Sequence, residues 1–191
     1  MEVFLKDNGT IKGLGTINTS PTALDTSDWQ EFHFASINLN IIKPDVLHSN
    51  RVVEDPSGVP YIVRSKFNNG VKYCVQKTSD MELSPAGVIT FGAENTTFFY
   101  QDQEFVSGRN VYYIDTQHLS KEACFFLITC LQPIAKKYSY SFGLFPSNLN
   151  KEWVKLPVTQ AGTPDWGYME GCMNRVLEES VRALDHLLLI K

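Results

Sequence analysis

The C-terminal stretch constrains the chain most. From Trp153 it reads Trp-Val-Lys-Leu-Pro-Val158, then Gln160-Ala-Gly-Thr163, then Pro164-Asp-Trp-Gly-Tyr-Met169, and it runs on to Ile190 with no further proline. Pro157 biases Leu156 away from the α region, so Leu156–Val158 reads as a short extended piece. Gly162 supplies a turn. Thr163 then reads as an N-cap, Pro164 as the first helical residue, and Asp165 as a first-turn carboxylate favoured by the helix dipole. The expectation is one helix over 164–188. Along it Trp166, Met169, Met173, Val176 or Leu177, Val181, Leu184 and Leu187 or Leu188 follow at steps of three and four. A continuous apolar stripe needs cover. Either the helix lies flat on its own domain, or the stripe is a seam with a partner helix, within or between chains. A straight helix rising about 1.5 Å per residue projects roughly 40 Å. That carries Leu184–Ile190 away from the body and favours the seam.

Upstream, short β-rich segments alternate with turn residues. Val3-Phe-Leu5 and Thr10-Ile11 flank Asp7-Asn-Gly9, a hairpin signal, and the rest of 1–28 reads as a linker. Gly13-Leu-Gly15 lacks the third glycine and flanking strand of a dinucleotide site. Trp29–Ile42 is strand material, best over Ile37–Ile42. Pro44–Gly58 reads as loop, with a short helix near Asp45–Ser49. Strands are expected at Val59–Val63, Val71–Val75, Val88–Phe91, Thr96–Tyr100, Glu104–Val106 and Asn110–Ile114. Ser120 caps a helix from about Lys121 into Gln132 or beyond, which Pro133 kinks or ends. The expected fold is α+β: a curved, mostly antiparallel β-rich body with one internal helix and a long C-terminal helix. The expected divisions are 1–28 (hairpin or linker), 29–160 (body) and 161–191 (helix).

Composition enters mainly through what it disfavours. With 43% hydrophobic residues, 12 Phe, 8 Tyr and 3 Trp, the chain can bury a real core. The net charge of −4 gives no global signal for coating nucleic acid or anionic membrane. A reader whose cations gather on one face remains compatible with it. Cys74, Cys124, Cys130 and Cys172 form no Cys-x-x-Cys pair, so a zinc site has little support. Reduced, buried thiols in a cytoplasmic protein without a leader or membrane span are the expectation. Every lysine lacks an acidic residue two positions before it, which removes the usual (Asp/Glu)-x-Lys nuclease motif. Methyltransferase and Walker motifs are also missing. Neither an enzyme nor a cofactor is expected. A Cys–His hydrolase would require one of the dispersed histidines, His33, His48, His118 or His186, to meet a cysteine in space.

Several segments occur in a telling order. Gly58-Val-Pro-Tyr-Ile62 precedes Arg64 and Asn68-Asn-Gly70, then Gly87-Val-Ile-Thr-Phe-Gly92, Thr97-Phe-Phe-Tyr100 and Phe105-Val-Ser-Gly-Arg-Asn-Val-Tyr112. After the Ala123–Leu131 helix come Tyr138-Ser-Tyr-Ser-Phe-Gly143, Ser147-Asn-Leu149, Val154-Lys-Leu-Pro-Val158, Gly162-Thr-Pro-Asp-Trp166 and Tyr168-Met169. From about Trp29 onward this order resembles a target-recognition domain of restriction–modification specificity subunits, of type I and type IIB systems. The resemblance implies a β-rich body whose loops read bases of double-stranded DNA. It also implies a helix that packs against its counterpart from a second half. Such a subunit does no chemistry and directs a methyltransferase subunit, and a nuclease subunit or domain, to the target. The usual subunit carries two recognition domains. This chain has room for one, so a homodimer or pairing with a second domain through the helix is implied.

Three clusters are candidates for DNA contact. Arg64, Lys66, Asn68 and Asn69 share one loop; Arg can grip guanine and Asn adenine in bidentate fashion. Arg109 and Asn110 follow Ser107-Gly108. Lys136, Lys137, Tyr138, Tyr140, Asn148 and Lys151 mix phosphate-binding cations with aromatic rings. The plain alternatives are solvated loop residues, an Arg109 paired with an acid at a strand end, and Tyr138 or Tyr140 half-buried in the core. The partner-helix candidates are Trp166, Met169, Met173, Leu177, Val181, Leu184 and Leu188. The competing function is a degenerate domain that only docks on the modification subunit.

Overall fold

The computed structural model describes residues 24–94 and 96–188. The hairpin expected around Asp7-Asn-Gly9, and Gly13-Leu-Gly15, lie outside the described residues. Three sheets form the body. The central one has the order β2 (Ile41–Ile42), β8 (Val111–Ile114), β5 (Val88–Gly92), β6 (Phe98–Gln101). A second joins β4 (Val71–Val75), β3 (Glu54–Ile62) and β7 (Val106–Ser107), and a third pairs β1 (Gln30–His33) with β9 (Trp153–Leu156). All pairings are antiparallel except β3 with β7. The helices are α1 (Lys121–Ala135), α2 (Pro146–Leu149) and α3 (Trp166–Leu188).

The main core lies between the central sheet and α1. Ile89, Phe91 and Ile114 from the sheet meet Leu127 and Leu131 of α1, and Leu144, Leu149, Leu156 and Met169 close it from the C-terminal side. Ala123, Cys124, Phe126, Leu127, Leu131, Ile134 and Ala135 are the buried residues of α1. Ser120 caps it: its Oγ accepts the Ala123 N–H at 3.2 Å. Pro133 does not end the helix. Ile134 and Ala135 beyond it are buried in the core, and that packing holds the last turn despite the missing N–H.

Other boundaries also differ. Only Ile41–Ile42 of the expected Ile37–Ile42 strand pairs, because a 3₁₀ turn occupies Phe34–Ser36 and Asn38 is left-handed at φ 60°. Strand β3 begins at Glu54, inside the expected loop, and absorbs the Pro56–Gly58 turn as an irregularity between Glu54 and Val59. The short helix expected near Asp45–Ser49 is a 3₁₀ turn at Ser49–Arg51. The α3 helix starts two residues late. Asp165, not Thr163, caps it, with Oδ1 accepting the Tyr168 N–H at 2.9 Å. Thr163 belongs to the preceding turn, where its carbonyl accepts from the Thr159 N–H at 2.8 Å, and Pro164 bridges to Val158.

Candidate nucleic-acid interface

The loop between β3 and β4 is built by its own side chains. Asn68, Asn69 and Gly70 are consecutive left-handed residues, at φ 49°, 53° and 79°. Asn and Gly are the residues that tolerate this conformation. The Asn68 Nδ2 donates to the Val71 carbonyl at 3.0 Å. Asn69 reaches across to the central sheet, where Nδ2 donates to the Tyr100 carbonyl at 2.9 Å. Gln101 answers by donating from Nε2 to the Asn69 carbonyl at 3.1 Å and to Thr90 Oγ1 at 2.8 Å. The amides expected to read adenine are thus engaged in holding the loop. Asn148 is engaged likewise, with Nδ2 on the Gly143 carbonyl at 3.0 Å.

Glu94 joins two of the expected clusters. Arg64 forms an ion pair with its Oε2, and Asn110 donates from Nδ2 to its Oε1 at 2.8 Å. Glu94 is thus taken by Arg64 and Asn110, and Arg109, for which pairing with some acid was the alternative, is exposed. Gly92 makes room for the arginine: a Cβ there would sit 3.0–3.1 Å from Arg64 Cα, Cβ and Cγ.

The third cluster divides. Lys137 Nζ and the Tyr138 hydroxyl both donate to Glu152, at 2.6 and 2.7 Å. Burial, and then the Glu152 hydrogen bond and charge, push the Tyr138 phenol up to about 12. Burial works against ionised Glu152, but its two donors and the Lys137 charge hold the carboxyl below its ordinary value. Tyr138 is half-buried and stacks on Phe142, with centroids 5.3 Å apart. Tyr140 is 78% exposed, so the half-buried alternative does not apply to it. Lys136 and Lys151 are exposed.

A shallow groove assembles residues that are remote in sequence. Lys66 comes from the β3–β4 loop, Glu94 from the end of β5, and Lys136, Tyr138 and Tyr140 from the segment after α1. Its neighbour Phe67, absent from the sequence candidates, is 80% exposed. Nothing in the sequence distinguishes an exposed Phe from one of the many core Phe residues. Glu94 and Glu152 were also missed, because isolated acids near turns carry no motif.

The α3 helix divides as well. Met169 and Cys172 are buried in the domain's own core, and Trp166 and Met173 pack partly against it. Those positions of the expected seam are covered from within: the first turns follow the flat-lying alternative. From Leu177 the stripe is bare, rising from 42% exposed there to 69% at Leu188, with Val181 and Leu184 between. Burial raises the Cys124 thiol and pushes Cys130 up to about 11, which disfavours the nucleophilic thiolate at both. Among the described residues, no group of three or more His, Cys, Asp or Glu is placed to hold a metal ion. No described helix is long and apolar enough to cross a membrane.

This β-rich body with a half-embedded departing helix has the fold of solved type I specificity subunits. The chain matches the S subunit from M. genitalium with a TM-score of 0.54 at 14% identity, over 86% of this chain and 44% of that one. It matches the HsdS subunit from Thermoanaerobacter tengcongensis with a TM-score of 0.55 at 13% identity, over 88% of this chain and 42% of that one. In sequence it is 24% identical over 148 residues to the type II restriction enzyme BgcI specificity subunit S.BcgI of Heyndrickxia coagulans, covering 76% of this chain and 43% of that protein. Residues 26–174 match the type I restriction modification DNA specificity domain. The chain belongs to that family. It spans less than half the length of the curated relative it matches.

Proposed function

We propose that the chain is a sequence-specific reader of duplex DNA within a restriction–modification system, performing no catalysis itself. Residues 29–160 form the recognition body and 161–191 the spacer through which it meets a second recognition domain, supplied by another copy or another chain. It directs a DNA methyltransferase subunit, and through the assembly a nuclease, to the target, in the cytoplasm. The observation that carries this reading is the groove that gathers Lys66, Lys136 and Tyr140 from separate segments, with Arg109 exposed elsewhere on the body. Lysines suit phosphates and arginine suits guanine, so affinity and specificity have separate sources.

Selection from a random duplex pool at fixed salt, by the chain with and without its modification subunit, tests the proposal. Enrichment of one motif is expected, with each wrong base pair costing about 1–3 kcal/mol. No enrichment under either condition would overturn it. Stable assembly with the methyltransferase in that case would select the docking-only function.

A further inference from the structure

We infer that Phe67 contacts the DNA bases directly, as an apolar reading residue at the tip of the β3–β4 loop. The inference rests on the DNA-reading function proposed above. Its ground is the contrast between the ring's exposure and the rigidity beneath it. Phe67 is the most exposed of the large hydrophobic residues described, at 80%. Such a residue on a floppy loop would be unremarked surface. This loop is fastened on both sides. Ser65 Oγ accepts the Phe67 N–H at 3.0 Å, and the Gly70 N–H donates to the Phe67 carbonyl at 2.9 Å. Three left-handed residues then turn the chain, and Asn69 locks it to Tyr100 and Gln101. None of these bonds buries the ring. The scaffold holds the backbone beneath an exposed apolar ring, so docking need not order the loop.

Its surroundings select the occupant. Lys66, the preceding residue, lines the groove together with Lys136 and Tyr140. Lysines that hold phosphates bring the grooves of a duplex against the adjacent ring. A Phe there can pack on a thymine methyl or wedge between bases. A protein partner binding by hydrophobic cover would find the ring flanked by charge.

The test uses the full chain and the duplex it selects. Phe67→Ala is expected to weaken binding about tenfold or more while leaving the salt dependence and thermal stability unchanged, since the contact is apolar and the ring buries nothing in the fold. Lys66→Ala is expected instead to reduce the salt slope by about one. Phe67→Leu should restore part of the affinity. Thymine-to-uracil substitution and 2-aminopurine fluorescence across the site distinguish a methyl contact from a wedge, and either result supports a base contact. Wild-type affinity and base preference in Phe67→Ala would overturn the inference. So would loss of methyltransferase co-purification with DNA binding intact. A wild-type chain that selects no duplex overturns the function beneath it, which is a separate result.

Discussion

At the scale of single residues, this surface is governed by which polar groups the fold engages internally. Glu152 gathers Lys137 and Tyr138 into one knot beneath the aromatic segment. Its folded-state pKa is depressed. The stability it contributes is therefore fully present above the ordinary glutamate value, and is lost as pH falls through the lowered folded value. Glu152→Gln should be less stable than wild type at neutral pH, and the two should converge as pH falls below about 4. Denaturant melts at several pH values check this; parallel curves would show that the knot contributes nothing. Gly92 is the second test. A methyl there meets Arg64 backbone as well as side chain. Gly92→Ala should lose about 1–3 kcal/mol, the range of overpacking changes, and weaken DNA binding by displacing the Arg64–Glu94 pair. Unchanged melting and binding would remove Arg64's slot from the account.

At the scale of elements, α3 is buried along the first part of its stripe and bare along the rest. The sequence spacing shows a uniform row from Trp166 to Leu188, because three-and-four steps describe a face and not its cover. The structure divides it near Met173, where the domain's own core stops. Substitutions should divide in the same way. Met169→Ala removes a fully buried side chain and should cost about 2–5 kcal/mol in chemical denaturation. Leu184→Asp should leave the melt of the isolated body unchanged and abolish self-association or pairing, read by sedimentation. An equal loss of fold stability from both would place the whole helix on its own domain. Strand β4 was legible because Val71, Tyr73 and Val75 alternate directly after an Asn-Asn-Gly turn. The Ile37–Ile42 piece was not, since Asn38 breaks it with a left-handed backbone that hydropathy does not register. The candidate site was legible only as residue types. Lys66, Lys136 and Tyr140 suit a ligand by type, and the fold brings them into one groove that the sequence does not show. Asn68, Asn69, Asn110 and Asn148 suit a ligand by the same chemistry, yet their donors satisfy backbone and carboxylate acceptors. A side-chain amide serves a turn or a base equally well, and only the tertiary neighbours decide.

At the scale of the whole molecule, charge sets the terms on which such a chain meets DNA. The net charge is −4, so long-range attraction cannot supply affinity and the local field must. That field is narrower than the cationic composition suggests. Arg64 faces Glu94, and Lys137 faces Glu152. Lys66 and Lys136 line the groove, and among the described residues neither ammonium is in an ion pair with a carboxylate. Each phosphate neutralised contributes about 0.9 to the slope of log affinity against log salt. Lys66→Ala with Lys136→Ala should therefore lower that slope by roughly 1.8. Lys137→Ala should barely change it and should lower stability instead. Titrations of one duplex at four or five salt concentrations separate these outcomes. A larger effect from Lys137 than from the groove pair would mean that Glu152 releases its lysine on binding, and that the surface rearranges on DNA. On the proposed function, two groove lysines give a single domain few phosphates to neutralise, so it should bind weakly alone. The bare half of α3 then bears on affinity as well as assembly, because joining two such domains makes the second contact intramolecular and multiplies affinity without adding a residue to either groove.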